Sequence, residues 1–171
     1  MTYINDKFYE IPHEELGNAQ KLIGKTWMLL TLPDGEKVNA MTASWGGLGI
    51  LWNKPVLTCF VRPQRHTYSL MENEERFSVA FMSEEHRGAL KLCGTKSGRD
   101  LDKLAASGLT TEKLDGVDVI CEADTLLICK KLYMGDLEES GFLCPDLLSN
   151  YKDGDFHRFY VCEIEKVYKR R

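Results

Sequence analysis

The apolar residues of this chain fall into short runs closed off by glycine, proline, aspartate or asparagine. That pattern constrains its fold more than any other feature. "TWMLLTL" (26–32) is followed by "PDGE" and then "KVNAMTASW" (37–45). Two apolar runs joined by turn-forming residues predict a hairpin. "VLTCFV" (56–61) reads as a buried strand stopping before Arg62 and Pro63, and "RFSVAFM" (76–82) alternates as a half-buried strand does. After the turn "KLDG", the stretches "VDVICEAD" and "TLLICKKLYMGDL" are strand-like. A loop with Gly141 and Pro145 then leads to "HRFYVCEIEKVY", the last strand.

Helix signals sit between these runs. "HTYSLMENEE" reads as a brief helix capped by Thr67. Ser83 is placed to cap "EEHRGALKLC", with Gly94 at its stop, and Ser97 with Asp100 forms a capping-box pattern opening "GRDLDKLAAS", which Gly108 ends. Many short strands with helices inserted in one place predict a mainly β fold, a barrel with a helical side element, not a βαβ alternation. No GxGxxG follows a strand; "WGGLG" lacks both the spacing and the following helix.

At 171 residues the chain is expected to form a single domain over 1–171. Its net charge of −4 offers no general basic field for nucleic acid or an anionic membrane. No apolar run reaches the roughly 20 residues of a membrane span, and "MTYINDKFYEIP" lacks the layout of a signal peptide, so a cytoplasmic location is expected. The cysteines are scattered, with no CxxC pair and no histidine at zinc spacing. They read as small core hydrophobes, with no metal site.

Four segments place polar residues where a barrel presents its rim. In "NAMTASWGGLG" (39–49), Asn39, Met41, Ala43 and Trp45 point one way along an extended strand, and Thr42 and Ser44 the other. Small residues here would let backbone amides approach the edge of a flat ligand; from spacing alone the stretch reads first as a glycine turn beside a buried tryptophan. "RPQRHT" (62–67) crowds Arg62, Arg65, His66 and Thr67 at a helix start, which suits either an anion or a solvated loop. "CGTKSGRDLDK" (93–103) offers Ser97, Gly98 and Lys103 as a second anion-binding turn or as a capped helix with a charged outer face. His157 lies between Phe156 and Arg158 in "DFHRFY". No GxSxG, HExxH or assembled Cys/His pair supplies machinery for hydrolysis.

Taken in order, "NAMTASWGGLG", "RPQRHTY", "FSVAFM" and "LCGTKSGRDLDK" resemble the flavin reductase-like FMN-binding split-barrel family, the flavoredoxin branch in particular, most closely over residues 37–109. The resemblance implies a six-stranded antiparallel split β-barrel, usually a homodimer, holding non-covalent FMN. It implies that Asn39 and residues Met41, Thr42, Ala43, Ser44 and Trp45 meet the isoalloxazine and ribityl parts. Arg62, Thr67 and Lys103 would hold the phosphate with help from Ser97 and Gly98, and His157 would lie near the flavin. Two activities follow as expectations. One is an NAD(P)H-dependent flavin or electron-acceptor reductase; the other is an electron-transfer protein reduced by a partner protein. The chain ends at Arg171, soon after its last strand, so a flavin ring open to a partner is expected.

Overall fold

The structure, a computed structural model, describes residues 6–171, and the first residues of "MTYINDKFYEIP" lie outside it. Strand β1 (Phe8–Ile11) is followed by a short helix α1 (Ala19–Lys21), which continues as a π-helical turn, Leu22–Thr26. β2 (Met28–Asp34) and β3 (Lys37–Ala43) form the expected hairpin, with Met28 opposite Ala43 and Asp34 opposite Lys37. Gly35 supplies the positive φ of 64° that the tight turn needs. β4 (Gly46–Leu51) and β5 (Lys54–Val61) make a second hairpin. Helix α2 (His66–Asn73) and strand β6 (Arg76–Phe81) come next. Helices α3 (Arg87–Thr95) and α4 (Lys103–Ser107) follow. After them come a small hairpin, β7 (Thr111–Leu114) with β8 (Val117–Ile120), and the long strands β9 (Thr125–Asp136) and β10 (Arg158–Arg170).

The strand order β3-β2-β6-β9-β10-β5 makes a sheet of six strands, all pairs antiparallel, and β4 extends it beyond β5. β10 is long enough to pair with β5 along its first half and with β1 along its second. Two irregularities in its pairing with β9 bend it there. β3 and β5, the ends of the six, lie close together. No ladder joins them among the described residues, so the barrel is split along this seam.

Both faces of the sheet are buried, which is why Met28, Leu29, Leu30 and Leu32 of β2 are apolar on both sides of the strand, with Thr31 buried among them. Leu30, Leu32, Met41, Leu57, Phe77, Leu127 and Tyr160 fill the inside. Leu29, Ala80, Ile128 and Tyr168 face outward and are covered by Leu90, Cys93, Leu104 and the β7–β8 hairpin. Of the cysteines, Cys144 alone is exposed and none is in a disulfide; the others pack as apolar side chains.

The helix starts differ from expectation. α2 begins after Arg65, and Thr67 is not its cap: the hydroxyl of Thr67 accepts from Asn39 Nδ2 at 2.9 Å. Ser83 precedes a 3-10 turn (Glu84–His86) without a capping bond, and α3 runs through Gly94 to Thr95. α4 opens at Asp102, whose side chain accepts from the Ala105 amide at 3.1 Å, and not at Ser97. Ser97 instead starts a tight turn in which its carbonyl accepts from the Asp100 and Leu101 amides. The Ser97/Asp100 spacing suits a box, but Asp102 stands one residue from the first helical position, and the nearer cap wins. Gly108 ends α4 in the left-handed region, as expected.

Candidate functional site

Strand register builds the site. Arg158 pairs with Val61, so the residues just beyond that pair, His157 and Arg62, sit side by side where β10 begins and β5 ends. Gly46 pairs with Cys59, which brings Trp45 beside Phe60. A Cβ at Gly46 would collide with the backbone carbonyl of Thr58, so glycine is the residue that lets the chain turn from β3 into β4 here. The result is a cleft of about 250 Å³ at the end of the seam, walled by Thr42, Ser44, Trp45, Phe60, Arg65 and His157, with Met41, Ala43 and Arg62 completing it. Trp45 is 48% exposed. The indole is therefore a wall of the cleft and not a core side chain.

His157 is buried, and its Nδ1 lies 2.8 Å from the Tyr151 hydroxyl. Its ring packs against Trp45 and Phe60, with centroids 5.3 and 6.1 Å away. Burial, reinforced by the Arg62 guanidinium and opposed by Asp155, pushes the His157 pKa down to about 4. The imidazole is neutral at physiological pH. Tyr151 comes from the 3-10 segment Pro145–Tyr151 and stacks on Phe156. That segment is strapped down by Arg62, which pairs with Asp155, donates to the Asn150 carbonyl at 2.9 Å and lies over the Tyr151 ring. Arg62 would reach an anion only by releasing Asp155.

Two other cations converge on the C-terminal end of α3. Arg65 donates to the carbonyls of Cys93 and Gly94 at 3.1 and 3.0 Å, and Lys103 Nζ donates to the Cys93 carbonyl at 3.4 Å. Thr42 donates to the Leu90 carbonyl of the same helix at 2.6 Å, tying the cleft strand to it. The negative end of the helix dipole favours these cations. Even so, burial and the neighbouring Arg65 hold the Lys103 pKa down to about 8, with Cys93 opposing. Among the described residues neither Lys103 nor Arg65 has a carboxylate partner.

Met41, Thr42, Ala43, Ser44, Trp45, Arg62 and His157 thus share one cleft, with Lys103 joined to it through Arg65. Asn39 and Thr67 are buried behind it, and Gly98 packs so tightly on the Asn39 amide that a Cβ would overlap its Oδ1. Among the described residues that oxygen has no hydrogen-bond partner. Ser97 is turned to its own loop, accepting from the Arg99 amide at 3.2 Å. Phe60, Tyr151 and Asp155 were not anticipated. Phe60 is one of many aromatic strand residues, and Tyr151 and Asp155 lie in a loop without motif; only pairing of β5 with β10 brings them to the cleft.

The flavin reductase like domain matches the chain over residues 21–170. Similar solved structures include a flavoredoxin from Methanosarcina acetivorans, 23% identical with a TM-score of 0.65, covering 84% of this chain and 68% of that one. An FMN-binding protein from Thermus thermophilus is 21% identical with a TM-score of 0.68, covering 94% and 79%. An FMN-binding domain of a flavin reductases-like enzyme from Shewanella baltica is 16% identical with a TM-score of 0.66, covering 98% and 79%. No curated protein matches the chain.

Proposed function

Because the chain belongs to the flavin reductase like domain family, we propose that it is an FMN-binding oxidoreductase whose flavin is reduced by NADH or NADPH. The observation that carries this reading is the unbalanced cation pair. Lys103 is 4% exposed, has a backbone carbonyl as its partner and has a pKa lowered to about 8. A buried ammonium in that condition calls for an anion, and a ribityl phosphate supplies one. The orphaned Asn39 Oδ1 beside Gly98 is a second unmet polar group on the same side. The cleft offers a flat indole and strand-end backbone for a planar ring. These residues fit FMN.

Arg65 and Lys103 hold the phosphate in this reading, and the backbone around Thr42, Ala43 and Ser44 meets the ring edge. His157, neutral and held by Tyr151, offers a hydrogen bond without placing a charge beside the ring. Trp45 shields one side of the cleft from water. Bound FMN supplies hydride acceptance and one- or two-electron delivery, chemistry that none of these side chains provides. We also propose that the chain acts as a homodimer. Ile50 on the edge strand β4 and Trp52 in the turn after it, with Tyr133 and Met134 on β9, form an exposed apolar surface suited to a second copy.

The test is a visible absorption spectrum of the FMN-reconstituted protein under anaerobic conditions, before and after NADH and then NADPH. Bleaching by either nucleotide supports the reductase and names its donor. Bands that persist until dithionite is added support a carrier reduced by a protein partner. Failure to retain FMN after gel filtration overturns the reading.

A further inference from the structure

A second and larger cleft, of about 710 Å³, shares Ser44 and Trp45 with the first. Its walls are the edge of β4 that pairs with no described strand and the helical segment that follows Asn18, with Ile23 and Leu48 as its apolar floor. Besides Gly46, two glycines line it, Gly24 in the π-helical turn and Gly47 in β4. Neither has a positive φ, and a Cβ built on either meets nothing within 4 Å. Gly46 and Gly98, by contrast, are each required by a neighbouring atom. Glycine inside a helix or strand weakens it, so a glycine that the fold does not need marks space kept open for something else.

The chemistry of the walls selects the occupant. No lysine, arginine, aspartate or glutamate among the described residues lines the cleft. A ligand carrying phosphates or carboxylates would leave those charges without partners, and an uncharged one loses nothing. Trp45 presents a flat aromatic surface, and an edge strand presents backbone N–H and C=O groups to one side. The Asn18 side chain is occupied in capping α1, which leaves the exposed Gln20 amide and the Ser44 hydroxyl as the polar side chains at the rim. We propose that this cleft binds an uncharged, planar, carbonyl-bearing ring compound of the quinone type, stacked on Trp45 with its carbonyls toward the β4 edge. The proposal concerns binding alone and stands whether or not FMN occupies the first cleft.

The experiment is a titration of the 15N-labelled chain with menadione, followed by amide NMR shifts, on the wild type and on Gly47→Leu and Gly24→Ala. The expected result is saturable shifts at Gly24, Gly46 and Gly47, with binding at least tenfold weaker in Gly47→Leu. Both variants should melt no lower than the wild type, and their FMN affinity should stay within twofold. Menadione shifts confined to Thr42, Phe60 and His157, equal affinity in both glycine variants, or no shifts at all would each overturn the proposal. Shifts at these glycines with NADH but not with menadione would also overturn it. Loss of FMN binding with menadione binding intact would count against the flavin reading alone.

Discussion

Lys103 shows what a single side chain reveals about a missing partner. Its pKa falls from 10.5 in the unfolded chain to about 8 in the folded one. Between those values the unfolded chain holds a proton that the folded chain has lost, so stability rises with pH across the window. Below about pH 8 both states are protonated and the full penalty is present. Melting temperatures of the FMN-free protein should therefore carry an upward contribution from pH 8 to 10.5 that FMN or inorganic phosphate flattens. Lys103→Met should remove the same contribution and weaken FMN binding by about 1–3 kcal/mol, read by fluorescence titration. Unchanged affinity would place the phosphate elsewhere. His157 acts in the acid range. Its pKa drops from 6.5 to about 4, so the unfolded chain takes up the proton first and stability falls as pH drops from 6.5 toward 4, levelling below that. His157→Gln should lessen that acid-side decline in a melting series, and an identical series would show that the histidine is not held neutral by burial.

At the scale of elements, the short helix α4 decides where Lys103 points. Lys103 is its first residue, and Asp102 caps it. Asp102→Ala should cost about 1 kcal/mol of stability in urea unfolding, and FMN affinity should fall with it because the helix that orients Lys103 frays. Ser97→Ala should cost less, since its hydroxyl bonds within its own turn and not to the helix. Equal losses would return the capping role to Ser97. The strap between β9 and β10 is the other element that shapes the cleft. Arg62, Asp155 and Tyr151 bind it to the end of β5, and through Tyr151 it sets the ring of His157.

At the scale of the molecule, the sheet buries both faces yet leaves apolar side chains outside. Ile50 is 74% exposed, Trp52 55%, Tyr133 55% and Met134 53%, and Trp52 meets Tyr133 edge-on at 6.5 Å. Light scattering coupled to gel filtration should give twice the 19.5 kDa mass of the chain. A Trp52→Ser, Ile50→Lys variant should shift toward the monomer with its circular dichroism unchanged. A monomeric wild type would dispose of the homodimer proposal.

The hairpin of β2 and β3, the strands from 56 to 61 and 76 to 81, the long final strands and the left-handed stop at Gly108 all follow from local patterns, because turn residues and apolar periodicity act within a few neighbours. The grouping of Thr42, Ser44 and Trp45 with a strand end is legible for the same reason. Three things are not local. The cap of α4 depends on which of two nearby acceptors lies at the helix start. The partners of Arg62 and His157 arrive from a loop about 90 residues along from Arg62, brought in by the pairing of β10 with β5. The exposure of Trp45 depends on what packs over it, and two clefts lie there instead of a core. The sequence by itself determined the order and kind of most elements and the stretch that opens at the rim. Tertiary structure alone decided which charges are left unbalanced and which rings face each other, because strand pairing joins residues that share no local signal.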